Sequence, residues 1–289
     1  MLDEFIAQHK VGDDFKATAQ QWYIPLAEKI AALQQKRQCI YLGVNGCQGS
    51  GKSTLSDFLS CYLRNQYQLN TVALSLDDFY LSQTERQQLA KSIHPLFKTR
   101  GVPGTHDTQV LSQTLSQLRQ NGAALRVPSF DKSLDNPKPC AQWPQVTRPI
   151  DVLIVEGWCW GVEAQEPSAL SQAINTLEQQ QDSDGVWRRY VNEQLQSCYQ
   201  PLYDQMDYWV MLKAPSFKQV FTWRLEQEQK LVAHTGNQGS GLMSEQQIYE
   251  FIQYFQRLTE HSLKTMPNRC DQVFELDQYR QIINATAAP

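Results

Sequence analysis

The stretch Gly46-Cys47-Gln48-Gly49-Ser50-Gly51-Lys52-Ser53, followed by Thr54, decides the fold of this 289-residue chain. It has the Gly-x-x-x-x-Gly-Lys-Ser spacing of a phosphate-binding loop, with an apolar run before it and a helical pattern after it. Glycines let the backbone approach phosphate groups closely, and amides at the start of a helix face the anion. Lys52 is expected to reach the β- and γ-phosphates of ATP, and the Ser53 hydroxyl to bind Mg²⁺.

Apolar runs alternate with helical patterns along the chain, which predicts an α/β fold with a mostly parallel sheet flanked by helices. Buried strands are predicted at 39–44, 71–76, 151–155, 208–212 and 273–276, with a short edge strand at 125–128. Helices are predicted at 14–35, 53–65, 84–92, 107–119, 169–203 with a break near 182–185, 217–231 and 244–265. No linker or repeat marks a second domain. We therefore expect one domain over 1–289, with an N-terminal helical extension (1–37), a helical insert (about 163–205) and a flexible lid (about 224–245).

Composition and charge exclude several classes of protein. The net charge is −4, so nothing favours binding to nucleic acid or to a membrane surface. No run approaches the ~18 apolar residues of a membrane span, and no signal peptide is apparent, so a cytoplasmic protein is expected. The seven cysteines are widely spaced and odd in number, which favours reduced thiols. The histidines have no zinc-ligand spacing.

Carboxylates follow two of the predicted strands. Asp77 and Asp78 come after the strand at 71–76, and Glu156 comes after the strand at 151–155. Ligands of parallel sheets gather at the carboxyl ends of the strands. Phosphoryl transfer needs a carboxylate to orient the attacking hydroxyl and others to hold the metal. Asp77 is the candidate base and Glu156 the candidate metal-side group, although each could instead end a strand or cap a turn.

The order of these motifs resembles the P-loop metabolite kinases, which include uridine kinase, pantothenate kinase and phosphoribulokinase. The chain is most similar to the plant-type D-glycerate 3-kinase family and its bacterial and fungal relatives. The resemblance covers about 39–267 and is carried by the segments Leu74–Tyr80, Lys98–Gly101, Gly104–Asp107, Val127–Ser133, Glu156–Trp158 and Trp223–Glu228. It implies the P-loop NTPase fold.

The resemblance also implies roles for particular residues. Asp77 would contact the acceptor hydroxyl and lie near the metal, and Tyr80 would form a wall of the acceptor pocket. Asp107 would bind acceptor hydroxyls. Arg224, in the lid helix, would approach the transferring phosphate, and Glu156 would lie beside Mg²⁺. Lys52, Asp77 and Arg224 are therefore the expected catalytic residues, and Ser53, Asp77 and Glu156 the expected metal ligands.

A carboxylate on the acceptor would require a cation, and a guanidinium can hold it with two hydrogen bonds. Arg100 and Lys132 are candidates in family-like motifs, with Asp131 beside Lys132, although each could be an ordinary surface charge. Many relatives have a glycine- and arginine-rich run where this chain reads Leu134–Pro139, which contains no arginine. The pair Arg188 and Arg189, next to Trp187, could close over the site from the helical insert.

The expected activity is transfer of the ATP γ-phosphate to a hydroxyl of a small acceptor, with D-glycerate preferred. Another acceptor, such as a nucleoside, a pantothenate-like molecule or a sugar, remains open at this point. A regulatory nucleotide-binding protein without an acceptor is a third interpretation, although no Asn-Lys-x-Asp guanine motif is present. The expected partner is thus a small molecule, and the sequence gives no oligomeric state.

Overall fold

In the computed structural model, which describes residues 1–12, 14–120, 122–235 and 243–287, the apolar run before the glycine loop forms an inner strand of a six-stranded sheet. The strands are β1 (Ile40–Gly46), β2 (Thr71–Ser75), β3 (Leu125–Arg126), β4 (Phe130–Asp131), β5 (Asn136–Pro137), β6 (Gln145–Val146), β7 (Val152–Gly157), β8 (Tyr208–Lys213), β9 (Gln272–Leu276) and β10 (Ile282–Ala287). The order in the sheet is β10-β9-β8-β1-β7-β2, and its pairings are parallel except for β9 with β10. Because β1 is buried between β7 and β8, the glycine loop lies at the middle of the carboxyl edge.

Helices cover the sheet and connect its strands. They are α1 (Leu2–His9), α2 (Phe15–Thr18), α3 (Ile24–Gln34), α4 (Lys52–Tyr67), α5 (Gln83–Ser92), α6 (Thr108–Arg119), α7 (Thr176–Gln181), α8 (Val186–Gln194), α9 (Gln200–Tyr203), α10 (Phe217–Thr235) and α11 (Glu245–Thr265). Capping boxes fix the starts of α5 and α11, where Ser82 and Ser244 accept from the backbone amides of Glu85 and Gln247. Among the described residues, no helix is long and apolar enough to cross a bilayer.

The N-terminal extension packs on the helix that follows the glycine loop. The rings of Phe5, Phe15 and Tyr23 have centroids 5.5, 5.8 and 5.8 Å from the ring of Phe58 in α4. Phe58 is fully buried, and the other three are at most 9% exposed. Aromatic contacts of this kind add to the free energy gained by burying the rings. The extension is therefore a fixed part of the wall beside the loop.

The helical insert is held to α11 by a buried ion pair. Arg257 Nη2 lies 2.6 Å from Glu178 Oε2, and the same guanidinium donates to the carbonyls of Ala169 and Gln172 at 2.8 and 2.7 Å. A second buried pair joins Arg188 to Asp182 at 2.8 Å. Paired and hydrogen-bonded in this way, the buried charges fix the insert in one position.

The predicted α/β fold and its five parallel strands are confirmed, each strand to within two residues at either end. The short strand predicted at 125–128 pairs with β6 in a separate ribbon instead of joining the main sheet. The helical segment predicted over 169–203 is a series of shorter helices, and its predicted break near 182–185 lies between α7 and α8. Strand β10 was not predicted, and helix α1 lies in the expected N-terminal helical extension (1–37) but before the helix predicted at 14–35. Of the predicted lid, residues 236–242 lie outside the described residues.

The expectation that Arg188 and Arg189 close over the site is wrong. Arg188 is 3% exposed and bound to Asp182, whereas Arg189 donates to the backbone carbonyl of Asp184. The neighbouring Trp187 packs edge-on against Tyr254, with centroids 5.8 Å apart. These side chains stabilise the insert.

Candidate active site

The glycine loop has the backbone conformation that its sequence predicts. Gly49 and Gly51 have φ angles of 78° and 94°, in the region that favours glycine. Helix α4 begins at Lys52, so the unpaired amides of its first turn face the space in front of the loop. Cys47 is 6% exposed, and burial raises the pKa of its thiol to about 12. At neutral pH this side chain is a neutral thiol, and the loop presents backbone donors to an anion.

Two cavities meet at this loop. The first, of about 540 Å³, is lined by loop residues 49–54, by the N-terminal extension around Lys10–Gly12 and by the turn Tyr279–Gln281; we call it the loop cleft. The second, of about 680 Å³, lies at the carboxyl ends of β2 and β7 and is lined by Asp77 and Gln48; we call it the Asp77 cavity. Lys52 lines both. A phosphate chain on the loop would therefore have one end in each cavity.

Lys52, Ser53 and Glu156 form one cluster beneath the loop. The Ser53 hydroxyl donates to Glu156 Oε1 at 2.8 Å, and Lys52 Nζ lies 3.7 Å from Glu156 Oε2. Glu156 is 5% exposed, and its Oε2 accepts no hydrogen bond from the described residues. Although burial opposes the charge on Lys52, the Glu156 and Asp77 carboxylates raise the pKa of its ammonium group. A hydroxyl and a carboxylate with an unused oxygen are suitable ligands for Mg²⁺.

Asp77 lies at the mouth of this cluster, and both of its carboxylate oxygens are hydrogen-bonded. Lys132 Nζ donates to Oδ2 at 2.6 Å, and the Tyr80 hydroxyl donates to Oδ1 at 2.8 Å. Although burial opposes ionisation, Lys132 and Lys52 lower the pKa of Asp77 from 3.8 to about 2. The carboxylate is therefore ionised at neutral pH and able to accept a hydrogen bond from a hydroxyl group.

Two residues behind the site hold these partners in place. Asp78 accepts from the Phe130 amide at 3.1 Å and so ties β4, which precedes Lys132, to the Asp77 turn. His106 stacks on the Tyr80 ring at 4.5 Å, and its Nδ1 lies 2.6 Å from the Tyr199 hydroxyl. Burial lowers the pKa of His106 to about 3, so the imidazole is neutral and supports Tyr80 without adding charge.

The Asp77 cavity contains an excess of positive charge. Its described lining includes six cationic side chains and two carboxylates, those of Asp77 and Asp135; the cations are Lys52, Arg86, Lys98, Arg100, Lys132 and Arg224. Arg86 is 2% exposed and lies 2.6 Å from Asp135 Oδ2. Arg100 hydrogen-bonds the other Asp135 oxygen and lies over the rings of Phe130 and Tyr80, 5.6 and 6.0 Å from their centroids. Asp135 occupies the segment that lacks arginine, and the guanidinium groups come from elsewhere in the chain.

Arg224 lines the same cavity from helix α10. Its Nη2 lies 2.8 Å from Glu228 Oε2, one turn along the helix. Glu228 is buried, and its other oxygen accepts from the Met243 amide at 2.8 Å. The arginine is thus held at the wall of the cavity by a carboxylate that also accepts from the segment leading into α11.

Two predicted acceptor ligands lie outside the described lining of the cavity. Asp107 Oδ1 accepts from the Val110 amide at 2.8 Å and caps α6. Asp131 Oδ1 accepts from the amides of Ser133 and Leu134 at 2.9 and 3.2 Å. Each carboxylate satisfies backbone amides near its own position in the chain. We therefore assign Asp107 and Asp131 a structural role in place of the expected contact with substrate.

Other residues of the site were missed in the sequence. Arg86 lies on a polar helix that no motif distinguishes, Lys98 opens the family-like Lys98–Gly101 segment but was not chosen as a site residue, and Asp135 lies in the Leu134–Pro139 segment that was noted only for its lack of arginine. Trp158 belongs to the Glu-Gly-Trp motif and donates to the Gly101 carbonyl at 2.9 Å, which could have indicated a place in the cavity wall. Arg280, which donates to the Gly49 carbonyl at 2.9 Å, follows a strand far along the chain.

Known proteins are similar to this chain in sequence and in fold. No protein-family model matches the chain. It is 34% identical over 239 residues to a Schizosaccharomyces pombe protein described as the uncharacterized kinase mug58, covering 79% of this chain and 82% of the relative. The chloroplastic D-glycerate 3-kinase of Arabidopsis thaliana is 28% identical over 222 residues, which are 74% of this chain and 45% of the plant protein. This chain belongs to the plant-type D-glycerate 3-kinase family of P-loop kinases.

The fold of this P-loop kinase is also that of a solved relative. The structure of D-glycerate 3-kinase from Cryptococcus neoformans superposes with a TM-score of 0.75 at 26% sequence identity, covering 93% of this chain and 99% of the fungal one. The chain is therefore an ATP-dependent small-molecule kinase.

Proposed function

We propose that this kinase transfers the γ-phosphate of ATP to a hydroxyl group of a small hydroxy acid, with D-glycerate as the acceptor. The observation that carries the proposal is the Asp77 cavity, in which an ionised carboxylate lies beside the loop lysine among an excess of cations. A hydroxyl can bind Asp77 while the acid group binds the cations. The relatives named D-glycerate 3-kinase support this acceptor.

Mg²⁺ fits the residues beneath the loop. Ser53 and Glu156 would hold it, with Asp77 nearby, because a hydroxyl oxygen and the unused Glu156 oxygen are the hard donors that this ion prefers. When bound, the ion would supply positive charge to the phosphate oxygens. The side chains of the protein itself supply the remaining chemistry.

Asp77 positions the attacking hydroxyl group. The hydroxyl can bind Oδ2 only when Lys132 leaves this oxygen. The Lys132 side chain is 60% exposed, so it can turn toward an incoming anion. The acceptor hydroxyl then donates to Asp77, which takes up the proton as the new oxygen–phosphorus bond forms and the bond from the γ-phosphorus to the β–γ bridging oxygen breaks, so that ADP leaves. The Tyr80 hydroxyl stays on Oδ1 and keeps the carboxylate oriented.

Cations on either side of the reacting phosphate stabilise the charge that develops during transfer. Lys52 approaches from the loop and Arg224 from helix α10, and both line the Asp77 cavity. Arg100 holds the acid group of the acceptor, because Asp135 and two aromatic rings fix its guanidinium plane. Positioning and charge stabilisation together account for most of the catalysis in phosphoryl transfer.

The test is ADP release by purified protein with Mg-ATP and a panel of acceptors. The panel contains D-glycerate, L-glycerate, other short hydroxy acids, uridine, pantothenate and a sugar. We expect D-glycerate to stimulate release most strongly and neutral acceptors to have little effect. Stimulation by a neutral nucleoside or sugar alone would contradict the proposed acceptor, and no stimulation by any acceptor would favour a regulatory nucleotide-binding protein.

A further inference from the structure

The two hydrogen bonds to the Asp77 carboxylate come from side chains that differ greatly in exposure. Tyr80, which donates to Oδ1 at 2.8 Å, is 7% exposed, and its ring stacks on His106 with centroids 4.5 Å apart. Lys132, which donates to Oδ2 at 2.6 Å, is 60% exposed. The tyrosine contact is therefore fixed by packing, whereas the lysine contact can open without disturbing the core.

The β4–β5 hairpin, which carries Lys132, is anchored at both of its strands. The Phe130 amide in β4 donates to Asp78 Oδ1 at 3.1 Å, and Asn136 Oδ1 in β5 accepts from the Gln83 amide at 3.0 Å. Lysine has a flexible four-carbon stem. The ammonium group of Lys132 can therefore leave Asp77 while the backbone of the hairpin stays in place.

Release of Lys132 from Asp77 breaks an ion pair, and only a charged acceptor can replace it. An acid brings a carboxylate with which the ammonium group can form a new ion pair within the same cavity, which Lys132 also lines. Water and neutral alcohols carry no charge, so they would have to free Asp77 Oδ2 with no new partner for the lysine. The ion pair thus favours an anionic acceptor over uncharged nucleophiles.

We propose that Lys132 is a specificity-determining residue, which keeps water and neutral alcohols from Asp77 until an acid acceptor draws the lysine away. This inference rests on the proposed function in taking Asp77 as the group that orients the nucleophile. In the hydrolysis that Lys132 suppresses, a water oxygen bonds to the γ-phosphorus and its proton passes to Asp77. The bond from the γ-phosphorus to the β–γ bridging oxygen breaks, and ADP and inorganic phosphate leave.

Two measurements on Lys132→Met test the proposal: ATP hydrolysis without acceptor, and the choice between D-glycerate and glycerol. Glycerol has the same carbon chain with a hydroxymethyl group in place of the carboxylate. We expect acceptor-free hydrolysis to rise about three- to fivefold, because the exposed ion pair no longer occupies Asp77. The ratio of kcat/KM for D-glycerate to kcat/KM for glycerol should fall by about fivefold or more.

Three further variants separate this role from a general loss of positive charge. Lys132→Arg keeps a cation at the position and should reverse most of the rise in hydrolysis. Lys132→Met combined with Asp77→Asn should lose that rise, because it depends on Asp77. The matched control is Lys138→Met, since Lys138 follows the same hairpin and lies outside the described linings of both cavities. Its variant should hydrolyse ATP and select acceptors as wild type does.

Hydrolysis by Lys132→Met at or below the wild-type rate would overturn the proposal, as would an unchanged ratio of the two kcat/KM values. A rise in hydrolysis that persists without the Asp77 carboxylate would also overturn it. The proposed acceptor is tested separately. A wild-type enzyme that D-glycerate fails to stimulate would contradict that acceptor, whereas the hydrolysis measurements contain no acceptor and would still decide the role of Lys132.

Discussion

Lys132 and Asp77 form a hydrogen-bonded ion pair at the mouth of the phosphate site, with Nζ 2.6 Å from Oδ2. The acceptor hydroxyl proposed above needs the same carboxylate oxygen. The lysine is 60% exposed and the aspartate 33%, so water and anions reach the pair from the cavity. Binding of an acid acceptor would give the lysine a new anionic partner at the moment when Asp77 gains the hydroxyl.

Asp77→Asn should abolish phosphoryl transfer and leave ATP binding nearly unchanged. The amide keeps the shape of the side chain but cannot take up the hydroxyl proton, and loss of a general base costs about 10²–10⁴-fold in rate. Single-turnover transfer and calorimetric ATP binding separate the two effects. Asp131→Asn is the control, because Asp131 caps a turn outside the cavity and its variant should stay active. A fully active Asp77→Asn enzyme would contradict the role of Asp77.

Lys132→Met should change the pH dependence of stability. The pKa of Asp77 is lowered in the folded protein, from 3.8 to about 2, so this carboxylate stabilises the fold above about pH 4 and loses that effect as the pH falls through 2. Without Lys132 we expect a loss of about 1 kcal/mol above pH 4, since water screens this exposed pair. The difference from wild type should shrink toward pH 2.

Urea unfolding at a series of pH values measures the effect of Lys132→Met. Lys16→Met is the control, because Lys16 is similarly exposed and pairs with Asp3 on the surface, away from the Asp77 cavity. A stability difference between wild type and Lys132→Met that stayed constant from pH 2 to pH 7 would argue against coupling of Lys132 to Asp77.

Arg100→Lys should raise the KM for the acceptor about tenfold and leave the KM for ATP unchanged. A lysine ammonium group cannot bind Asp135 and present a planar fork to a carboxylate at the same time. Steady-state kinetics with each substrate varied in turn measures the two constants. Arg126→Lys is the matched control, since Arg126 donates to the Ala141 and Trp143 carbonyls and lies outside both cavity linings. Equal rises in both KM values would rule out a specific acceptor contact.

Glu156→Gln should increase the Mg²⁺ concentration needed for half-maximal activity by about tenfold or more. The variant removes the charge of a buried carboxylate that accepts from the Ser53 hydroxyl. Magnesium titration at fixed ATP gives the value, and Glu163→Gln, which breaks a surface pair with Arg269, controls for loss of a glutamate elsewhere. An unchanged magnesium requirement would remove Glu156 from the proposed ligands.

The sequence was sufficient to predict the glycine loop, the parallel strands and the positions of Asp77 and Glu156, because each of these features depends on a short stretch of the chain. A loop of fixed spacing between an apolar run and a helix has few alternatives, and carboxylates after parallel strands share an edge. Strand β10 was not predicted from the sequence. It is an antiparallel edge strand, and some of its apolar residues, such as Ile283, are exposed, so it lacks the pattern of a buried strand.

The cations of the Asp77 cavity could not be predicted as a set. Arg86 lies on a polar helix and becomes buried only because Asp135, 49 residues further on, folds back to it. Asp107 shows the opposite case. The family resemblance implied a contact with the acceptor, whereas capping of helix α6 accounts for the position of this carboxylate. Contacts between distant segments decide which charged residues reach the site.

The buried thiol of the glycine loop determines how the enzyme can be handled chemically. Cys47 is 6% exposed and protonated at neutral pH, so alkylating reagents and mild oxidants, which act on accessible thiolates, should spare it. Cys140, by contrast, is exposed and lies outside the linings of both cavities. A maleimide dye should therefore attach at Cys140 first and give a fluorescent enzyme whose phosphate loop remains intact.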